Sequence, residues 1–427
     1  MKPEVQLFGL KWTVKEAGFG CRPSPTQTSI EMLKNPPPIF GVAPPPPPPS
    51  APPSSNPGIN GNGAAKGTTH AGAAGIQRPS LAQNSNGNII DKKENCPVVP
   101  PFDMLDLPTG MRAMGFTKAA YCADRWFRGQ AHVIKDGSAD IESLQFLDTD
   151  TFKLDWILSF GLVKRKFDAL KDADTNAPEN IYNNKSREAL KNVLKRFVDK
   201  HNNSCPSPLS TWSYSEQDIQ KLHRDFQFQR IKVTMVDVLG GILEISQGKI
   251  KNSQIVNDLA ASLANFYFYA AVAHATVRTR RYMRYGSEGQ TKCTQTTVEV
   301  SHIYVYAKDV YSFNDETQTS QYLGHWNRYG VIISAESYAA SLLEKEHGSR
   351  SEIYLPPVPK NLDRPLDTGN SLLAKQVYYP VRNKDFETWR HLKNRGGDFA
   401  IFSDTRKIKL AKPITIDLDE ICEIYRR

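Results

Sequence analysis

The spacing of apolar residues changes period once along this chain, near Phe226, and that change limits the folds open to it. Before it, Met114, Ala119, Tyr121, Trp126 and Phe127 recur at helical intervals, as do Phe167, Leu170, Leu190, Leu194 and Phe197. Thr211 to Glu216 reads as the capped start of a helix over 217–226. After it, Phe226, Phe228, Ile231, Val233 and Met235 alternate as a strand, with a phase slip near Arg230. Gly240-Gly241 followed by 242–245 predicts a hairpin. Helices and strands are thus segregated rather than alternating. The expected class is α+β: one folded unit over 96–427, helical over 96–225 and mixed, with antiparallel sheet, over 226–427.

Within the mixed part, the residues from Asn257 to Thr276 are apolar on most faces and predict a helix at the centre of the core. The basic run that follows reads as its solvated end. Val298, Val300, Ile303, Val305 and Ala307 predict a strand with a phase break near Ser301. Further strands are expected at 329–334, 376–381 and 398–402. Helices are expected at 335–345 and from Asn383, the latter carrying Phe386, Trp389 and Leu392 and stopped at Arg395-Gly-Gly397.

Upstream the composition collapses. A short segment, 1–35, precedes Pro36–Pro38, Pro44–Pro49 and a Gly/Ala/Ser/Asn/Thr tract over 54–88. Such a tract cannot bury enough apolar surface to offset chain entropy, so 36–95 is expected to be disordered, either as a tether or as a proline-rich docking ligand.

The most apolar window, 255–277, is interrupted by Asn257, Asp258, Asn265 and His274, which argues against a membrane span. The first residues lack the apolar stretch of a cleaved signal. Synthesis in the cytoplasm is expected, with any export by a route that needs no such signal. The formal charge of +9 permits an anionic partner without requiring one. Cysteines at 21, 96, 122, 205, 293 and 422 show no metal spacing. They are expected to be buried thiols, with neither a metal centre nor a disulfide framework.

The chemistry-bearing residues crowd one strand exit: Asp309, Tyr311, Asn314, Asp315, His325, Trp326 and Arg328. A histidine beside carboxylates can move protons near neutral pH. His325 is therefore the candidate proton shuttle. Asp309 or Asp315 is the candidate orienting carboxylate or cation ligand, and Tyr311, Trp326 and Arg328 are candidate binding groups. The competing reading is a hairpin turn at Asn314-Asp315, with His325-Trp326 as packing. A second candidate is the basic run with Arg280, Arg281 and Arg284, interleaved with tyrosines, which suits nucleic acid or an anionic membrane surface. Nucleotide-cradling and serine-hydrolase signatures do not occur, and no cofactor is assigned.

Several segments are distinctive together: 111–116, 123–127, 154–158, Tyr304 to Asp315, Tyr322 to Asn327, and Gly396-Gly-Asp-Phe399 with Phe402-Ser-Asp404. They resemble an uncharacterised proteobacterial family whose members are often linked to type VI secretion. The resemblance covers roughly residue 100 to the C-terminus. It implies an antibacterial effector that meets a spike or tube component of the secretion apparatus and a cognate immunity protein, or else a non-enzymatic adaptor handled with such effectors. It supplies no catalytic residues.

Overall fold

The computed structural model describes residues 4–7, 10–13, 30–39, 102–134, 143–175, 177–201, 207–239, 257–286, 289–314, 320–332, 366–367 and 377–424. Residues 40–95 of the expected tail, the strand at 242–245, the helix at 335–345 and Asp315 lie outside the described residues.

Near the N-terminus, β1 (Glu4–Leu7) and β2 (Leu10–Thr13) pair antiparallel. The helical part holds α1 (Leu107–Ala113) and α2 (Thr117–Arg128), then β3 (Leu147–Asp148). It continues with α3 (Leu154–Leu158), α4 (Val163–Lys171) and α5 (Asn184–Lys200). Next come β4 (Leu209–Ser210), α6 (Thr211–Tyr214) and α7 (Ile219–Phe226). Side-chain caps start the longer helices where the sequence offers them: Asn183 accepts from Ser186 N–H, and Asp218 accepts from Gln220 and Lys221 N–H.

The mixed part begins with β5 (Gln227–Val233), α8 (Met235–Leu239) and α9 (Asp258–Leu263). Two long strands follow, β6 (Phe266–Gly286) and β7 (Gly289–Tyr311). The chain continues through β8 (Tyr322–Asn327), β9 (Gly330–Ile332), β10 (Leu366–Asp367), β11 (Val377–Arg382) and α10 (Asn383–Lys393). It closes with β12 (Phe399–Phe402), β13 (Arg406–Asp417) and β14 (Ile421–Ile424). The class is α+β, helices first and a largely antiparallel sheet after them.

An eight-stranded sheet is organised on β6 and β7, which pair antiparallel from Tyr267↔Lys308 to Gly286↔Gly289. On the far side of β7, three strands share its length: β14 near the tip, β13 in the middle and β12 at the base. β4 and β5 pair with β6, and β3 joins β12 in parallel. A second sheet has the order β10-β11-β8-β9.

Three expectations need correcting. Residues 257–276 are not one helix. Asn257 caps α9 through Ala260 N–H, and Ala264, at φ 50°, ends that helix. Phe266 onward is strand. Phe268, Tyr269, Ala270 and Ala271 are all buried, so both faces of β6 are covered. A strand buried on both faces has no period-two signature, and its apolar run cannot be told from a core helix by periodicity. The aromatic and β-branched content decides for strand, and each fully buried phenylalanine there contributes about 1.5–3 kcal/mol.

The basic run is likewise the outer half of β6, not a helix end. The partner of β5 is β6, and the expected phase slip near Arg230 is a register shift between Gln227 and Gln229. The phase break near Ser301 is present, as paired register shifts around His274 and His302.

The third correction concerns cysteine. Cys293 and Cys422, 129 residues apart, form a disulfide that ties β14 to β7. Cys122 is a free buried thiol, its pKa pushed well up by burial.

Candidate functional site

At the base of β7 the alternating ladder ends in Asp309, Val310 and Tyr311, paired with Ile401, Ala400 and Phe399 of β12. Two polar arrangements flank this strand exit, and they differ in how much room their carboxylates have.

The first is closed. Asp398 is fully buried and accepts from Trp126 Nε1 at 2.9 Å, Ile134 N at 3.1 Å and Asn314 Nδ2 at 3.3 Å. Arg390 of α10 also donates to it. Burial outweighs these donors and raises its pKa. Around it, Phe127, Phe313, Phe386 and Trp389 surround Trp126 with ring centroids 5.2–5.8 Å away. The glycines before Asp398 are dictated by this packing. Gly396 sits at φ +101°, and a Cβ there would lie 2.6 Å from the Trp126 ring. The helix itself stops one residue earlier than expected, at Asn394 in the left-handed region.

The second arrangement has space. A cavity of about 150 Å³ opens beside Asp309. Its walls come from six places: α1 through Leu107 and Met111; Met235 of α8; α9 and its exit; the end of β7; β8 with Gln321 before it; and the β11–α10 junction. Aromatic side chains of Tyr311, Phe313, Tyr322, Trp326 and Phe386 form much of the lining, and Asp309 is the one charged residue among the described residues in it. Tyr311 stacks on Phe399 at 5.3 Å, and Trp326 Nε1 donates to the Leu323 carbonyl at 2.9 Å. Burial holds the phenols of Tyr311 and Tyr322 above their ordinary pKa, so both are neutral hydroxyls at physiological pH.

The structure thus brings Asp309, Tyr311 and Trp326 to one cavity, and His325 does not join them. His325 is 1 % exposed, and its Nδ1 is bonded to the Tyr322 hydroxyl, so it stands behind a cavity wall. A side chain so enclosed is not part of the cavity surface. Arg328, in the β8–β9 turn, pairs with Asp106 at 3.1 Å and lies outside the lining.

Arg280, Arg281 and Arg284 occupy the outer half of β6 and are exposed. Arg280 pairs with Gln295 in the ladder, more than about 40 Å along the strand from Asp309 at ~3.3 Å per residue. Arg284 is paired with Glu420, and Arg280 lies over the Tyr282 ring.

Sequence reasoning missed a third polar group. On β7, Lys308 reaches His223 Nε2 at 3.2 Å, and His223 Nδ1 lies 2.8 Å from the Tyr306 hydroxyl. An ammonium can only donate, so Nε2 accepts and the Nδ1 proton goes to Tyr306. Burial, then the charges of Lys308 and Arg230, lower His223 to a pKa of about 3, and it is neutral. It is a closed core network. A strand tyrosine and lysine pattern gave no hint of a helix histidine 83 positions away.

The tightest grouping of metal-ligating residue types among the described residues is Cys293, Cys422 and Glu420. There the sulfurs form the disulfide and the carboxylate pairs with Arg284.

Among curated proteins none matches this chain, and no solved structure matches it. A family model described as a family of unknown function matches residues 102–418, which take in every element from α1 through β13. The chain therefore belongs to that family, DUF6402.

Proposed function

We propose that this protein is an antibacterial effector delivered by a contact-dependent, type VI-like secretion system, and that its working site is the cavity beside Asp309. The observation that carries the site is that cavity. It lies inside the family-matched region, is mostly apolar, and has one carboxylate and a few neutral polar groups, the usual make-up of a ligand site. The assignment to secretion rests on the resemblance of segments such as Tyr304 to Asp315 and Tyr322 to Asn327. The disulfide between Cys293 and Cys422 supports residence in an oxidising compartment, as an envelope-acting effector would have. Its partners would be a spike or tube component and an immunity protein, and its target an envelope component or nucleic acid.

The enclosure of His325 favours a second reading, a non-enzymatic adaptor that binds a ligand or cargo without turning it over. One experiment separates them. The full chain is expressed in a test bacterium in cytoplasmic and signal-directed periplasmic forms, and survivors are counted. Killing by the periplasmic form alone is the expected result. Folded protein that kills from neither compartment overturns the toxin reading and leaves the adaptor.

A further inference from the structure

We propose that the surface formed by residues 102–106 and Arg395 is a docking seat for an extended peptide, and that residues 30–39 are its exchangeable ligand, supplied by the chain itself. Neither residues 102–106 nor Arg395 line the cavity beside Asp309, so the seat stands whether or not that cavity is the working site.

The segment lies outside the family-matched region, which begins at residue 102, and residues 40–101 run between the two. Among the described residues its hydrogen bonds all go to other parts of the chain. Glu31 forms a parallel bridge with Asp103: its N–H donates to the Phe102 carbonyl at 2.8 Å, and its carbonyl accepts from Met104 N–H at 3.0 Å. Further along, the Arg395 guanidinium donates to the Pro37 carbonyl at 2.8 Å. A peptide that adds to a backbone edge is held in this way, by its main chain, with alternate side chains set into the surface. Ile30 and Met32 pack against the core, while Leu33 is 77 % exposed.

The seat supplies acceptors that the segment fills. Asp103 is 3 % exposed, and its Oδ2 accepts from the Leu33 and Lys34 amides at 2.8 and 3.0 Å, with no other donor among the described residues. Asp106 pairs through one oxygen with Lys34 and through the other with Arg328. A carboxylate as buried as Asp103 needs donors, and at Oδ2 the segment brings them. The ligand class follows: an extended stretch with apolar residues at alternate positions, then a lysine. It leaves through Pro36–Pro38, which carry no N–H to satisfy.

The hold is light enough for exchange. Leu33, Lys34, Asn35 and Pro38 are exposed, and Ile30 and Met32 are half-buried. A segment with so few buried contacts opens before the core does, and the 40–101 connection keeps it near its seat.

The test uses the full chain with a protease recognition sequence inserted within residues 54–88. After cleavage, a labelled synthetic peptide of residues 28–41 is titrated in, and binding is read by fluorescence anisotropy. The peptide is expected to displace the cut fragment, and to bind the uncut chain about tenfold or more weakly because the tethered copy competes. In the peptide, Lys34→Glu and Met32→Asp should each weaken binding about tenfold or more. Leu33→Gln should change it less than about twofold, since that side chain is exposed. These changes leave the folded domain untouched.

A fragment that stays bound against excess peptide, in protein that remains folded, is a fixed part of the fold and overturns the proposal. So does a cut protein that unfolds on losing the fragment, one that sheds it and ignores the peptide, or peptide variants that all bind alike. An uncut chain that is a dimer and falls to monomer on cleavage gives the seat to a second copy's segment, and overturns the assignment within one chain.

Discussion

Asp309 lies near the end of β7 and Asp398 just before its neighbour β12, at the base of the same sheet, yet they are set up for opposite purposes. Asp398 is fully buried, and its two oxygens accept from the indole of Trp126, the Ile134 amide, the Asn314 amide and the Arg390 guanidinium. Every donor belongs to the fold, and each ties a different element to the start of β12. Asp309 is half-buried and borders open volume. A carboxylate whose surroundings are filled by donors from the protein holds the protein together. One on a cavity wall borders space that the fold leaves open.

The largest effect should come from breaking the closed side. Asp398→Asn leaves the Arg390 charge buried without its counter-charge and turns one acceptor into a donor among donors. Unfolding in urea should show a loss of about 3–5 kcal/mol, the range for removing one partner of a buried pair. A loss under about 1 kcal/mol would mean that the four donors contribute little and that the two carboxylates are not different in kind.

Next in size is a pH effect at His223, which is closed in the same way. Its pKa is lowered from 6.5 to about 3 in the folded protein, so as pH falls below about 6.5 the unfolded chain takes up a proton that the folded chain refuses. Stability should therefore fall with decreasing pH, by about 2 kcal/mol between pH 6.5 and 5 from this group. The buried carboxyls of Asp398 and Asp385, whose pKa burial raises, act in the opposite sense, so the His223 contribution is read from the variant. His223→Gln, whose amide oxygen can still accept from Lys308, should flatten that slope. An unchanged slope would show that His223 takes up its proton without unfolding.

The smallest structural effect is expected far out on β6. Arg280→Gln should change stability by no more than about 0.5 kcal/mol, because its side chain is exposed at the outer half of the hairpin. If the same change abolished killing, the functional surface would lie on that arm and not at the cavity.

What the sequence made legible follows from these contrasts. β7 was readable because Ile303, Val305 and Ala307 face one way and His302, Tyr304 and Tyr306 the other, and even the break at Ser301 showed. β6 was not, because helices and strands bury it on both faces and leave no alternation to see. Asp309, Tyr311 and Trp326 were found from crowding at a strand exit. The rest of the cavity wall was hidden, since Met235, the 260–264 segment and the 381–386 segment reach it only through tertiary packing. The place of His325, off the cavity lining, was hidden for the same reason: sequence proximity to Asp309 says nothing about which side of β8 its ring occupies. The bond between Cys293 and Cys422 left no spacing to recognise across 129 residues.

The central claim is that Asp398 serves the fold and that Asp309 belongs to the proposed working site. The most direct test is to measure urea unfolding and periplasmic killing of Asp309→Asn in parallel with the unaltered protein. The account predicts a midpoint shift worth about 1 kcal/mol or less, since the side chain is half-exposed, together with loss of killing. An Asp309→Asn protein that unfolds as readily as Asp398→Asn, or that kills as well as the unaltered protein, would contradict it.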